Sequence, residues 1–179
     1  KGELVAYRAD NGQRLWSAPT QSGIVAPPVS YAVDGEQYVA VMVGWGGALG
    51  LAGGIAPREG NKVGGRLLAF KLAGTAQLPP APPPQALPQP PAQTASAETI
   101  SKGDALYHGY CSVCHGLNAE SPTLADLRYM QPGTHEVFDK IVLDGLYKDL
   151  GMVGWSKYLS TDDAHAIHAY LIERAHQTR

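Results

Sequence analysis

Cysteine is nearly missing from this chain: 179 residues contain only two. A four-cysteine zinc site is therefore excluded. Long apolar runs are missing as well. The greasiest stretch, YVAVMVGWGGALGLAGG at 38–54, is interrupted by glycines, so no segment is suited to cross a bilayer. An excess of positive charge is missing: the formal net charge is −2, which gives no reason to expect a nucleic acid as partner. Residues 73–97 carry no charge of either sign. Neither a starting methionine nor a signal peptide is present, so the chain reads as a mature protein or as a piece of a longer one.

What is present falls into three parts. Residues 79–91 read PPAPPPQALPQPP and hold eight of the fourteen prolines. Proline fixes φ and removes the amide donor, so this stretch predicts extended polyproline II and a semi-rigid spacer. A loop this long is uncommon inside a compact domain. The expected organisation is an all-β segment over 1–72, a proline-rich linker over 73–97, and an all-α domain over 98–179. Residues 1–72 carry seven basic and five acidic side chains, whereas residues 98–179 carry seven basic and eleven acidic.

Both cysteines lie in HGYCSVCHG, residues 108–116, as Cys111 and Cys114 with His115 following. Cys-x-x-Cys-His is the spacing for c-type haem attachment. Two thiols add to the two vinyl groups of one porphyrin edge, and the adjacent imidazole ligates the iron. A zinc half-site would need a second ligand pair at finger spacing, and a thioredoxin-like pair would need a βαβ context. Neither is present in the sequence around this motif.

The flanking residues predict helices. Gly103, Tyr107 and Cys111 fall on one helical face, with Ser101 as the expected N-cap. STDDAHAIHAYLIERA predicts a last helix capped by Ser160 or Thr161, with Ile167, Tyr170 and Leu171 as its apolar stripe. Val137, Ile141 and Val142 predict a core helix between them. On these residues the region 98–176 resembles class I cytochrome c. The resemblance pairs Gly103 with Tyr170 at a close crossing of first and last helices. It also implies a methionine as sixth iron ligand from the loop before the last helix. Met152 holds that place, 37 residues after His115, with Val153 where the family often has proline. Met130 competes, as do His135, His165 and His168, whose positions on expected helices suit ordinary exposed histidines.

The first part shows a repeat. GELVAYR at 2–8 and GRLLAFK at 65–71 share Gly-x-Leu-x-Ala-aromatic-basic, which suggests a repeat architecture such as a propeller. QRLWSA, PPVSYAV and EQYVAVMVG read as strands, and the DNG at 10–12 and DG at 34–35 read as hairpin turns. An ordinary small antiparallel sheet is the plainer alternative. AYRADNGQRLW is similar to the tryptophan-docking motif of quinoprotein dehydrogenase propellers, with Ala6, Gly12 and Trp16 matching, and Arg8 and Asn11 departing from its Asp and Thr.

The order of these parts resembles the C-terminal end of a quinohaemoprotein alcohol dehydrogenase, with a last propeller blade followed by a cytochrome c domain. The resemblance implies haem c here, with pyrroloquinoline quinone (PQQ) and calcium held by other parts of the enzyme. Cys111 and Cys114 would form the thioethers, and His115 and Met152 the axial ligands. Trp45, opening the loop GWGGALG, would lie near PQQ or else pack between blades. No catalytic residue is assignable within the chain. The implied function is electron transfer from PQQ through the haem, in the periplasm, to an external acceptor such as a small cytochrome, a copper protein or a quinone pathway. The rest of the propeller would be a partner. The competing expectation is a stand-alone periplasmic cytochrome c carrier with a small β docking module.

Overall fold

The computed structural model describes residues 2–45, 65–81, 83, 86–121 and 124–178. They form two compact units that divide between residues 85 and 86. No described helix is long and apolar enough to cross a membrane.

The first unit is built from β1 (Glu3–Tyr7), β2 (Arg14–Pro19), β3 (Val29–Val33), β4 (Glu36–Val43) and β5 (Arg66–Lys71). β1 and β2 make an antiparallel hairpin in which Ala6 faces Trp16. β3, β4 and β5 make a separate antiparallel sheet with β4 in the middle. The two-residue turn between β3 and β4 needs left-handed backbone twice, and Asp34 (φ 51°) and Gly35 (φ 80°) supply it. Among the described strands, β4 alone brings buried apolar side chains, Ala40, Val41 and Val43. β3, at the edge, is exposed along its whole length. Trp16 meets Phe70 edge-on at 5.2 Å, and the Gly44 amide donates to the Gly23 carbonyl at 2.8 Å.

The second unit is helical. It contains α1 (Ala97–Tyr110), α2 (Ser112–His115), α3 (Pro132–Glu136), α4 (Phe138–Val142) and α5 (Thr161–Gln177), with single 3-10 turns at Leu117–Ala119, Leu127–Tyr129 and Lys148–Leu150. α1 and α5 cross at Gly103. A Cβ there would stand 1.9 Å from the Ala166 carbonyl oxygen and 3.0 Å from Tyr170 Cβ, so only hydrogen fits. Tyr107 and Tyr170 pack at 5.2 Å beside this crossing. α5 is fixed at its start by a capping box between Ser160 and Asp163. Lys102 of α1 reaches the same Asp163 at 2.7 Å, and its ammonium is the main cause holding that carboxyl far below the usual range.

Three sequence expectations change. The α1 N-cap is Ser96, which accepts from the Thr99 amide, and not Ser101. The residues from 97 onward favour helix, so helix begins at the first available cap, five residues before Ser101. The expected middle helix breaks at Val137, whose backbone (φ −112°, ψ 18°) separates α3 from α4. Phe138 then enters the core alongside Ile141 and Val142. The stretch 73–97 is also anchored at both ends. The Gln21 amide donates to the Pro79 carbonyl at 2.8 Å. Further on, Gln93 donates to the Ala169 carbonyl at 2.9 Å, His176 Nε2 bonds the Pro91 carbonyl at 2.9 Å, and Pro90 is buried. Residues 86–96 thus pack as a strap on the helical unit. Proline removes donors but keeps its carbonyls, and the side chains of α5 use one of them.

Candidate haem attachment site

α1 ends at Tyr110, and its last buried position, Tyr107, donates its hydroxyl to the Gly116 carbonyl at 2.7 Å. That bond closes the turn carrying Cys111, Cys114 and His115 onto the helix. Cys111 is buried and Cys114 exposed, and both are free thiols. Burial pushes the Cys111 thiol up to about 11, so it remains protonated at neutral pH. His115 Nδ1 lies 3.0 Å from the Ala125 carbonyl oxygen. A carbonyl can only accept, so Nδ1 carries a proton, and in the neutral ring the lone pair then lies on Nε2. This is the tautomer required for Nε2 to ligate a metal. The donor set fits haem c: two unpaired thiols three residues apart, and an imidazole whose Nδ1 is held by a backbone carbonyl.

The remaining candidates sit as follows. Cys111 and Met130 belong to one buried apolar cluster, and Met152 packs against it with Trp155. Met152 follows the 3-10 turn Lys148–Leu150, and its amide donates to the Tyr147 carbonyl at 3.1 Å. Tyr110 at the end of α1 meets Trp155 edge-on at 5.6 Å, which joins the Met152 loop to the Cys-x-x-Cys-His helix. Tyr110, Val113, Leu146, Tyr147 and Val153 are exposed apolar residues of this unit, the kind of surface a flat macrocycle would cover.

The competing histidines are elsewhere. His135 Nδ1 and His168 Nε2 lie 2.8 Å apart, and His168 stacks on Phe138 at 4.4 Å. Both are half-buried, so the expectation of ordinary exposed residues holds only for His165, which pairs with Asp139 at 2.9 Å. Burial, followed by the nearby His135, pushes His168 down to about 4. Trp45 is half-buried with its indole on Gly23, where a Cβ would lie 2.5 Å from the ring. The rest of its loop, 46–50, lies outside the described residues.

The sequence reading missed Ala125 and Arg128. Ala125 acts through its backbone carbonyl, which no residue type announces. Arg128 had a local signal in Asp126-x-Arg128, an acidic cap two residues before its own partner.

Residues 98–171 match a protein-family model described as cytochrome C oxidase, cbb3-type, subunit III. Quinohemoprotein alcohol dehydrogenase ADH-IIG of Pseudomonas putida is 45% identical over 178 residues, 98% of this chain and 24% of the relative. Nearly the whole chain is similar to one part of the quinohemoprotein alcohol dehydrogenases. ADH IIB of the same species is 43% identical over 98% of the chain and 26% of its own length. The solved quinohemoprotein alcohol dehydrogenase ADHIIG from P. putida HK5 superposes with a TM-score of 0.79 at 41% identity, covering 98% of this chain and 26% of that one. The quinohemoprotein alcohol dehydrogenase of Comamonas testosteroni superposes at 0.72 with 33% identity, over 99% and 26%. The chain thus spans about a quarter of the length of the quinohemoprotein alcohol dehydrogenases it matches.

Proposed function

We propose that the chain is the electron-transferring portion of a periplasmic PQQ- and haem c-dependent alcohol dehydrogenase. The observation that carries this reading is the Cys111-x-x-Cys114-His115 turn with His115 Nδ1 held by the Ala125 carbonyl, in a chain 45% identical to ADH-IIG. Haem c supplies a one-electron iron couple, able to accept the electrons of alcohol oxidation from PQQ singly and pass them to an external acceptor. Cys111 and Cys114 hold the group by thioethers. His115 Nε2 and the Met152 thioether would be the iron ligands, the thioether favouring the reduced state. Residues 98–179 form the cytochrome domain, residues 73–97 its linker with the strap described above, and residues 1–72 part of a propeller blade. The remaining blades, PQQ and calcium belong to other parts of the enzyme, and Trp45 is the residue of this chain that this reading sets near PQQ. The exposed β3 edge supports the blade reading, since a neighbouring strand or blade would cover it. A stand-alone carrier is the lesser reading, because the similarity to the dehydrogenases extends through the β unit as well as the helical one.

The test is spectroscopic. In the complete enzyme carrying this sequence, the colour stays with protein after acid-acetone extraction, and adding alcohol reduces the haem. Met152→Ala removes the weak far-red ferric band and lowers the potential, whereas Met130→Ala keeps both. Extraction of all colour defeats the haem reading, and a Met130→Ala effect in place of Met152→Ala reassigns the ligand.

A further inference from the structure

Arg128 is 8% exposed, yet it carries a full charge. A buried charge is tolerated only when it is paired and hydrogen-bonded. Arg128 is paired twice. Its Nε donates to Asp126 Oδ1 at 2.9 Å and its Nη2 to Asp126 Oδ2 at 2.7 Å, a two-pronged contact. The same Nη2 lies 3.2 Å from Glu120 Oε1. The Asp126 side chain is 7% exposed, and Asp126 Oδ1 also accepts from the Arg128 amide at 3.1 Å. The Arg128–Asp126 pair is too dry to be an incidental surface pairing, and Glu120 joins it from a partly exposed position.

Its position in the chain gives it a purpose. Asp126 directly follows Ala125, whose carbonyl binds His115 Nδ1 at 3.0 Å. Glu120 lies at the other end of the same loop, four residues after Gly116. The Glu120 carbonyl oxygen occupies the space where a Cβ on Gly116 would sit, 2.1 Å away. Gly116 in turn receives the Tyr107 hydroxyl. Arg128 therefore clasps the entry and the exit of the loop that leaves His115 and returns to its hydrogen-bond acceptor.

We propose that Arg128 is a positioning residue for the iron-binding imidazole: by bridging Asp126 and Glu120 it holds the Ala125 carbonyl against Nδ1 of His115. The strength of that bond sets how much electron density the imidazole can offer at Nε2. A loosened carbonyl leaves the ligand less basic, favours the ferrous state and raises the potential. The proposal rests on the haem reading above.

The test uses the haem-loaded protein. Arg128→Lys keeps the charge but loses the fork. In the reduced protein, NMR follows solvent exchange of the His115 ring proton, and a redox titration gives the midpoint potential. Arg128→Lys is expected to speed that exchange by about tenfold, the effect of weakening one hydrogen bond, and to move the potential upward. Ile172→Ala, a core change on α5, is the comparison: it lowers the melting temperature and moves neither reading. Glu120→Gln, a milder change, speeds the exchange by a smaller factor and keeps the test open should Arg128→Lys fail to mature. Unchanged exchange and potential in Arg128→Lys, or equal changes in Ile172→Ala, overturn the proposal. Haem extracted from the wild-type protein by acid-acetone defeats the haem reading and this proposal together; with colour retained and Arg128→Lys silent, this proposal alone falls.

Discussion

The two units contain similar kinds of apolar residues and treat them differently. Among the described residues, the β unit buries three apolar side chains, all on β4, while the helical unit buries sixteen. Tyr31, Val29 and Val33 on β3 stay exposed, as do Met42 and Leu67. A sheet satisfies its backbone within a plane but needs a second layer to remove its faces from water. The helical unit supplies its own second layer through the Gly103 crossing, where the backbones of α1 and α5 come close enough to interlock Tyr107, Tyr170 and Leu171. Closure in hydrogen bonds and closure in packing are separate achievements, and among the described residues the helical unit has both.

The largest expected effect breaks that contrast at its source. Gly103→Val pushes two γ-carbons toward the Ala166 carbonyl and should destabilise the helical unit by about 3 kcal/mol. Denaturant titration of the haem-loaded protein measures it, and a loss below about 1 kcal/mol would show that the crossing relaxes freely. A middle-sized effect sharpens the contrast on the other side. Val29→Lys and Leu67→Lys replace exposed side chains, so they should change stability by no more than about 0.5 kcal/mol while lowering binding of a hydrophobic dye. A large loss of stability would mean that these faces are already covered.

The third effect is a pH dependence confined to one unit. All six histidines lie in the helical half of the sequence. The folded state holds His168 neutral, down to about 4 from an ordinary 6.5, with His135, Asp139 and His165 around it and His135 lowered by burial as well. The unfolded chain takes up protons first as pH falls. The stability contributed by the neutral ring is therefore complete above 6.5 and declines between 6.5 and about 4. Over this window the melting temperature of the wild type should fall relative to that of His168→Phe as the pH drops, and parallel curves would rule the group out.

Much of this arrangement was legible in the sequence because its signals are local. The Asp34–Gly35 turn, the Ser160 cap and the Cys-x-x-Cys-His spacing each lie within a few residues of what they specify. Gly103 and Tyr170 were legible only through a family resemblance, since their meeting spans 67 positions, the difference between the two residue numbers. The pairing of His135 with His168 and the grip of Ala125 on His115 were not legible. The first depends on how two helices dock, and the second on a backbone atom common to every residue. Ser101 and Ser96 are both competent caps, and the sequence preference alone did not rank them.

The strap formed by residues 86–96 determines where the helical unit can be excised. A truncation at residue 98 follows the compositional boundary, but it strips Gln93 from the Ala169 carbonyl and the Pro91 carbonyl from His176. It also removes Ser96, leaving the first amides of α1 without their cap. A cut before Ala86 keeps all three. The helical unit is therefore better excised inside the proline-rich stretch, and a graft of it onto another protein should carry residues 86–96 as part of the cargo.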